Sequence, residues 1–256
     1  MSVENTPLYV KSVEKAFQVL QAFRGERPSL SLAEIAMRTG LDRSAAQRFV
    51  FTLHALGHLI KDGSRHYRLS PLLLEFGFIY LDTDPLIATS QEPLRQLHMT
   101  VGKNVMLARL AGNDIVLVER LTDQATRHIR VGVRLPVLYT ASGRVILAHM
   151  PESEWEPILA TSAFHRFTEA SVVDPDEMRA IIRQARIDGY CITRSQHFNG
   201  DLSVAAPVFD SSGSVIASVS VTTLEFGQPD TARETQLRGA VVDCARFISQ
   251  MMGAPT

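Results

Sequence analysis

The chain has 256 residues, 45% of them hydrophobic and 21% charged, with a formal net charge of −1 at pH 7. This composition is typical of a soluble globular protein with room for two ordinary domains, and a disordered chain is not expected. Cys191 and Cys244 lie far apart without metal-ligand spacing, which fits a reducing compartment better than a disulfide scaffold and so favours a cytoplasmic protein.

Three short helices are predicted before residue 60. The first is amphipathic, because apolar side chains recur at helical spacing over residues 13–23, and Ser12 is its expected N-cap. Ser31 and Glu34 have the spacing of a capping box, in which each side chain satisfies an unpaired backbone amide at the start of a helix. This box predicts a second helix that ends at Gly40.

A third helix is predicted to follow a short turn and to begin at Asp42, its N-cap, as a helix-turn-helix requires. One face of this helix is apolar and the opposite face is rich in hydrogen-bond donors. The candidate DNA contacts on the second face are Arg43, Ser44, Gln47, Arg48 and Phe51. Such side chains can contact base edges and phosphates in a major groove. An ordinary solvated helix face is the alternative, and the capped helix and glycine turn in front of it favour DNA binding instead.

A hairpin is predicted after the third helix, because the segments 59–61 and 66–69 flank Asp62-Gly63-Ser64-Arg65. It would be the wing of a winged helix-turn-helix, and the basic side chains that could meet DNA are Lys61, Arg65, His66 and Arg68. Residues 1–70 carry ten Lys and Arg against six Asp and Glu, whereas the rest of the chain carries sixteen against twenty-one. The sequence therefore predicts a DNA-binding domain over residues 1–70, with Ser31 added to its candidate contacts.

The segment after the wing is predicted to be an apolar linker helix over residues 71–84, opened by Ser70-Pro71. Side chains from Leu72 to Leu81 are apolar on almost every side of this helix, which is more than one small domain can cover. A second copy of the chain is therefore expected to cover part of it, and packing against the C-terminal domain of the same chain is the alternative. The run is far too short to cross a bilayer, so no membrane partner is expected.

Residues 85–256 are predicted to form an α+β domain, because helical and strand patterns alternate along them. Strands are expected over residues 105–110, 115–118, 129–133, 202–209 and 215–223. Helices are expected over residues 86–101, 140–150, 151–160 and 174–188, with a last helix that ends at Met252. Short turns between neighbouring strands predict a mostly antiparallel sheet.

No common catalytic or nucleotide-binding motif is present in this domain, so no enzyme activity, cofactor or metal is expected. Its most informative polar residues are hydroxyl side chains near the ends of elements, namely Ser142, Ser203, Ser220 and Thr222. Hydroxyls on an apolar sheet face, with backbone donors at the helix start near Ser142, indicate a pocket for a small oxygenated ligand. Strand Ser and Thr side chains bonded to neighbouring backbone are the alternative, and the residues alone favour it.

Several motifs resemble the IclR family of bacterial regulators, in the family's order and over nearly the whole chain. In the N-terminal part they are SLAEIA (31–36), SAAQR (44–48), LGHL (56–59) and YRL (67–69). In the C-terminal part they are LPVLYTASGR (135–144), DGY (188–190) and VAAPVFD (204–210). The resemblance implies an all-α winged helix-turn-helix domain followed by an α+β GAF-like effector domain. It also implies a homodimer or tetramer that binds double-stranded operator DNA under the control of a small organic acid, often an aromatic one.

The resemblance further assigns an effector pocket to the backbone of Ala141 and Ser142 and the side chains of Thr193, Ser203, Ser220 and Thr222. Thr193 and Ser203 stand where relatives can have Asp and Cys, and Ser195 and Gln196 replace an acidic pair. The lower negative charge is compatible with an anionic effector, for which Arg194 is a candidate counter-charge.

An alternative function from a different class is an enzyme or a small-molecule-binding module that does not bind DNA. Cys191 and His197 are near each other in sequence, but on a strand and a loop they need not meet, and no other pair of nucleophile and base is visible. The segment 69–77, LSPLLLEFG, is similar instead to the IclR subgroup that controls aromatic-acid degradation. A DNA-binding regulator that is not an enzyme is therefore the expected function.

Overall fold

A computed structural model describes the chain over residues 6–25, 27–63, 65–122, 129–225 and 230–255. The chain forms two compact units, Met1–Tyr80 and Leu81–Thr256. Each unit packs apolar side chains into a core of its own, as separate domains do.

The first unit combines short helices with a small antiparallel sheet. Its helices and strands are α1 (Lys11–Gln21), β1 (Leu30–Ser31), α2 (Leu32–Thr39), α3 (Arg43–Ala55), β2 (Leu59–Asp62) and β3 (His66–Leu69). Strand β3 pairs with both β1 and β2, so the predicted hairpin gains a third strand. With only two residues, β1 is too short for sequence alternation to indicate it.

The two helices of the helix-turn-helix begin with the predicted caps. The Ser31 hydroxyl accepts a hydrogen bond from the Glu34 amide at 3.3 Å, and the Glu34 carboxylate accepts one from the Ser31 amide at 2.8 Å. Asp42 caps α3 by accepting a hydrogen bond from the Ala45 amide at 2.8 Å. Gly40 ends α2 with a φ of 69°, a left-handed conformation that glycine adopts at little cost.

An apolar helix follows β3. The Ser70 hydroxyl accepts a hydrogen bond from the Leu72 amide at 3.2 Å and opens a 3-10 turn, Pro71–Leu73, which leads into α4 (Leu74–Thr83). No described side chain of α4 is buried. Its most exposed apolar side chains are Leu74, Phe76 and Phe78, at 74, 60 and 67%.

The second unit is built on a six-stranded sheet. Its strands are β4 (Asn104–Ala111), β5 (Asp114–Leu121), β6 (Arg134–Pro136), β7 (Cys191–Arg194), β8 (Asp201–Phe209) and β9 (Val215–Leu224). The spatial order is β6-β5-β4-β9-β8-β7, and every neighbouring pair is antiparallel. The predicted α+β domain with a mostly antiparallel sheet is confirmed.

Helices cover both faces of this sheet. They are α5 (Pro85–Val101), α6 (Ala141–His149), α7 (Glu152–Thr161), α8 (Pro175–Asp188) and α9 (Thr231–Met251). Helices α5 and α9 pack on one face with side chains such as Val105 and Val204, whereas α6, α7 and α8 pack on the other with Met106 and Ala205. Because successive strand residues point to opposite faces, each central strand contributes to both cores.

Two predictions about element ends are wrong. Ser12 does not cap α1, because the helix begins before it, with Val10 in the cap position. The strand expected over residues 129–133 does not form, and β6 begins only after them. Gly132 has a φ of 86° there and makes a turn that interrupts the extended backbone. Ser64 of the predicted wing loop lies outside the described residues.

Candidate functional site

The exposed face of α3 carries every DNA contact predicted on this helix. These residues are Arg43, Ser44, Gln47, Arg48 and Phe51, the last 70% exposed. The opposite face packs into the core through Ala46, Val50 and Leu53. Neither Arg43 nor Arg48 forms an ion pair with any described residue, so both guanidinium groups can meet an anion from solvent.

The wing exposes further cations on the β2–β3 hairpin. Lys61, Arg65 and His66 are all exposed. Ser31 differs from them, because it is half-buried and its hydroxyl donates a hydrogen bond to the Glu34 carboxylate at 2.8 Å. A DNA contact at Ser31 would therefore have to share the hydroxyl with the capping box.

A partly open cavity lies in the second unit on the sheet face that α6 covers. Its walls contain all six residues of the predicted effector pocket: Ala141, Ser142, Thr193, Ser203, Ser220 and Thr222. Apolar and aromatic side chains line most of the rest, including Met106, Ile115, Leu117, Leu135, Tyr139 and Phe198. The fold thus brings together residues from α6, β7, β8 and β9 around one space.

Strand pairing aligns the hydroxyl groups of this cavity. Thr193 on β7 lies opposite Ser203 on β8, and Ser203 lies opposite Thr222 on β9. Residues directly opposite each other in paired strands share a face of the sheet, as does Ser220, two residues before Thr222. The Ser203 and Thr222 hydroxyls hydrogen-bond each other at 2.7 Å.

Three hydroxyl groups of the cavity have no partner in the described part of the chain. Ser142, Thr193 and Ser220 are buried, yet none of their hydroxyls forms a hydrogen bond with a described residue. Their oxygen atoms are not among the fully buried unpaired ones, so water or a ligand can reach them. Ordinary strand Ser and Thr side chains would be bonded to neighbouring backbone, so the arrangement favours a site for a polar ligand.

The start of α6 supplies backbone donors at the cavity wall. Thr140 caps the helix by accepting a hydrogen bond from the Gly143 amide at 3.0 Å. The amides of Ala141 and Ser142, in the first turn, have no acceptor within the helix. Amides in this position, at the positive end of the helix dipole, suit a carboxylate or another anion.

A buried cation adds to this positive potential. Arg144 is 3% exposed and donates hydrogen bonds to the Leu138 carbonyl at 2.6 Å and to the Gln196 side-chain oxygen at 2.7 Å. Both acceptors are neutral, and no carboxylate forms an ion pair with Arg144 among the described residues. Burial therefore lowers the pKa of Arg144. Gln196 itself lines the cavity, so the uncompensated charge lies directly behind the cavity wall.

Asp201 is the cavity residue that sequence reasoning missed. It opens β8, is half-buried and lines the cavity, and burial raises the pKa of its carboxyl to about 6. The sequence signal was its position two residues before Ser203, because alternate strand residues share a face. The expected lower negative charge of the pocket is thus offset by one carboxyl group.

Arg194 is not the counter-charge that the sequence predicted. Its side chain forms ion pairs with Glu225, at 3.2 Å, and with Glu234, and it does not line the cavity. On β7 it points to the face opposite that of Thr193, because neighbouring strand residues alternate.

Cys191 and His197 have different surroundings. Burial raises the pKa of the Cys191 thiol to about 11, which disfavours the thiolate that a nucleophile needs. His197 lines the cavity between the rings of Phe167 and Phe198, at centroid distances of 4.4 and 4.3 Å, and burial lowers its pKa. The Nδ1 atom of His197 is buried and has no hydrogen-bond partner in the described part of the chain, so this histidine adds an unpaired ring nitrogen to an otherwise aromatic wall.

Within the described ranges, no three His, Cys, Asp or Glu side chains are grouped so that they could hold a metal ion. None of the helices described there combines the length and hydropathy that crossing a membrane would need.

Two family models match the chain. The one described as the IclR helix-turn-helix domain matches residues 12–63, and the one described as bacterial transcriptional regulator IclR C-terminal matches residues 78–250. Together they cover the exposed α3 face, the first strand of the wing and the whole lining of the cavity.

Curated relatives are similar over most of their length. The chain is 32% identical over 220 residues to the Pca regulon regulatory protein of Pseudomonas putida, covering 85% of this chain and 75% of the relative. It is 30% identical over 256 residues to the HTH-type transcriptional regulator KdgR of Escherichia coli, covering 98% and 96%.

Solved structures share the fold. An IclR transcriptional regulator from Alicyclobacillus acidocaldarius has a TM-score of 0.81 at 26% identity, over 96% of this chain and 100% of that one. An IclR homolog from Microbacterium hydrocarbonoxydans, complexed with 4-hydroxybenzoate, has a TM-score of 0.72 at 24% identity, over 93% and 99%.

Proposed function

The chain belongs to the IclR family of bacterial transcriptional regulators, and on that premise we propose a role for each of its parts. Residues 1–70 bind double-stranded operator DNA, residues 85–256 bind a small organic acid, and residues 71–84 link the two and dimerise. The observation that carries this proposal is that six residues from four elements line one cavity, while α3 exposes two unpaired arginines.

DNA binding is proposed for the outer face of α3 and for the wing. Gln47 and Arg48 on α3 suit contacts to base edges, and Arg43 and Ser44 suit contacts to phosphates. Lys61 and Arg65 on the wing would add contacts to phosphates, which are independent of sequence.

The effector is proposed to be an aromatic carboxylate. Its carboxylate would accept hydrogen bonds from the amides of Ala141 and Ser142, with Arg144 behind them as the buried positive charge. Its ring would lie among the apolar and aromatic side chains, including Tyr139 and Phe198. The 4-hydroxybenzoate bound to a homolog of the same fold, and the Pca regulon protein among the relatives, support this ligand class.

The regulator is proposed to act in the cytoplasm, where its DNA is, as a homodimer or tetramer without a cofactor. A catalytic role is not favoured, because the relatives are regulators and Cys191 lies buried with a raised pKa. The effector would change operator affinity by binding one arrangement of the DNA-binding domains better than another.

Arg48→Ala tests the proposed DNA contact. Mobility shifts with the intergenic DNA upstream of the gene should show binding weakened by about 1–3 kcal/mol, because a base contact is lost. Arg24→Ala is the matched control, since Arg24 is exposed in the same unit but lies outside α3 and the wing. Equal affinities of the two variants would remove Arg48 from the interface. Failure of the wild-type chain to retain any DNA at low salt would contradict the regulator proposal itself.

A further inference from the structure

Asp201 stands at one end of the effector cavity. It lines that cavity and also an adjoining one, whose walls include Lys103, Arg120 and Arg233. Ala141 and Ser142, at the start of α6, line only the first cavity. Asp201 therefore lies at the end that opens toward the adjoining space, away from the amides that suit a carboxylate.

The position of Asp201 on the sheet agrees with this separation. Ala205, four residues further along β8, is packed in the core beneath α6. Four residues of extended strand span roughly 13 Å, which is more than the length of a benzoate ring with its carboxylate. Ser203 lies between the two positions, on the same face and hydrogen-bonded to Thr222.

The Asp201 carboxylate has no partner in the described part of the chain. It forms no hydrogen bond or ion pair there, although cations line the adjoining cavity. The Arg233 guanidinium donates instead to the Thr223 hydroxyl at 2.7 Å, and that of Arg120 donates to the Ile129 carbonyl. Burial accordingly raises the pKa of the Asp201 carboxyl to about 6, with no opposing contribution from a cation. A half-buried carboxylate without a protein partner can accept a hydrogen bond from a donor group of a ligand.

We infer that Asp201 selects the effector, by accepting a hydrogen bond from a donor group on the ring at the end opposite the carboxylate. The effector class is then a hydroxylated aromatic carboxylate, and a ring without a donor at that end is disfavoured. This inference rests on the proposed aromatic-acid function of the same cavity. It assigns a role to a residue outside the six positions that the family resemblance supplies.

The chemistry explains why selection would be strong. A ligand hydroxyl replaces the water lost by Asp201 on binding, whereas a hydrogen or a methoxy group leaves the carboxylate without a donor. The discrimination expected from one such buried hydrogen bond is roughly 10- to 100-fold in affinity. A second carboxylate at that end would face like charge, so dicarboxylates are disfavoured as well.

Calorimetry with the full chain tests the inference, with benzoate, 4-methoxybenzoate, 3-hydroxybenzoate and 4-hydroxybenzoate as probes. The wild-type chain should bind at least one hydroxybenzoate roughly 10- to 100-fold more tightly than benzoate or 4-methoxybenzoate. Asp201→Val should abolish this preference and bind benzoate more tightly, because an unpaired carboxylate has been replaced by an apolar group. Asp201→Asn, which keeps the shape and a weaker acceptor, should have an intermediate preference.

Glu169→Gln is the matched control, since it removes an exposed carboxylate of the same unit that does not line the cavity. Its preference among the four probes should equal that of the wild-type chain. Equal affinities of the wild-type chain for benzoate and both hydroxybenzoates, or an undiminished preference in both Asp201 variants, would overturn the role of Asp201 alone. Failure of all four probes to bind, with DNA retention intact, would overturn the aromatic-acid effector together with it.

Discussion

At the scale of single residues, Asp201 lowers the stability of the folded chain at neutral pH and is the residue that we infer to bind the effector. Its carboxyl has a pKa of about 6 in the folded chain against an ordinary value of 3.8, because burial disfavours the charged form. The folded state therefore binds a proton more tightly than the unfolded state. This residue's contribution to stability is greatest below the lower pKa and is lost as pH rises through the higher one. At neutral pH, the unliganded protein keeps a charge that its fold does not stabilise.

Asp201→Asn should raise the melting temperature at pH 7.5, because the variant no longer buries a charge there. The gain should shrink between pH 6 and pH 4 and vanish near pH 4, where the wild-type carboxyl is protonated in the folded state. Thermal unfolding followed by circular dichroism across this range measures it. A melting temperature lowered at pH 7.5 would instead mean that Asp201 stabilises the fold through a partner of its own.

Arg144 illustrates the complementary case of a buried charge whose hydrogen bonds to described residues all go to neutral groups. Its guanidinium joins the turn before α6 to Gln196, and so holds two parts of the cavity wall together. A ligand carboxylate at the α6 amides would supply the counter-charge that the described residues lack. The positive charge behind the α6 end of the cavity thus favours that end for the carboxylate of an acid.

At the scale of elements, α6 owes its position to a glycine. A Cβ atom at Gly143 would lie 2.1 Å from the Val137 carbonyl oxygen, so the helix can approach the preceding 3-10 turn, Val137–Tyr139, only without a side chain. This approach places the amides of Ala141 and Ser142 at the cavity wall.

Gly143→Ala should therefore destabilise the second unit and weaken effector binding. The backbone atoms that it would meet cannot rotate away as a side chain can, so a cost of about 1–3 kcal/mol or more is expected. Denaturant unfolding and calorimetry with 4-hydroxybenzoate measure the two effects.

Gly239→Ala is the control for this prediction. Gly239 lies within α9 and has no atom within 4 Å of the added Cβ, so the change should be neutral or stabilise the helix by up to about 1 kcal/mol. Equal stabilities of the two variants would show that the close approach of α6 is unimportant.

At the scale of the whole molecule, α4 leaves an apolar surface open. Leu74 and Phe78 are four residues apart, so they share one side of the helix, and they are 74 and 67% exposed. Soluble proteins rarely expose contiguous apolar surface of this kind without a partner. A second copy of the chain is the partner that the proposed regulator requires, because a dimer holds two operator half-sites at once.

The double variant Leu74→Glu/Phe78→Glu should dissociate the proposed dimer, because it introduces charge into the apolar surface that the second copy would cover. Sedimentation velocity should show a mass near that of one chain, and operator affinity should fall because each half-site would then be bound separately. Ile187→Glu is the control, since Ile187 is 78% exposed on α8 and is not part of the linker segment. A wild-type chain that sediments as a monomer would contradict this prediction.

Local chemistry explains most of what the sequence predicted correctly. The capping box of Ser31 and Glu34 and the N-cap at Asp42 depend on neighbours within three residues, so short sequence segments are enough to predict the helix starts of the helix-turn-helix. Strand alternation likewise marked β8 and β9, and the family motifs named the six residues that line the cavity. The sequence did not predict the turn at Gly132 that interrupts the expected strand over residues 129–133, because an isolated glycine permits a turn without requiring one.

The sequence by itself determined most of the helices and strands, the basic face of α3 and the family, because each is encoded by residues close together along the chain. Only the tertiary structure decided which charges reach the cavity. Arg194 forms ion pairs with Glu225 and Glu234 instead. Asp201 lines the cavity, and the buried Arg144 lies behind the cavity wall, bonded to Gln196. These outcomes depend on strand register and helix packing between segments far apart in sequence, and no local pattern specifies such neighbours.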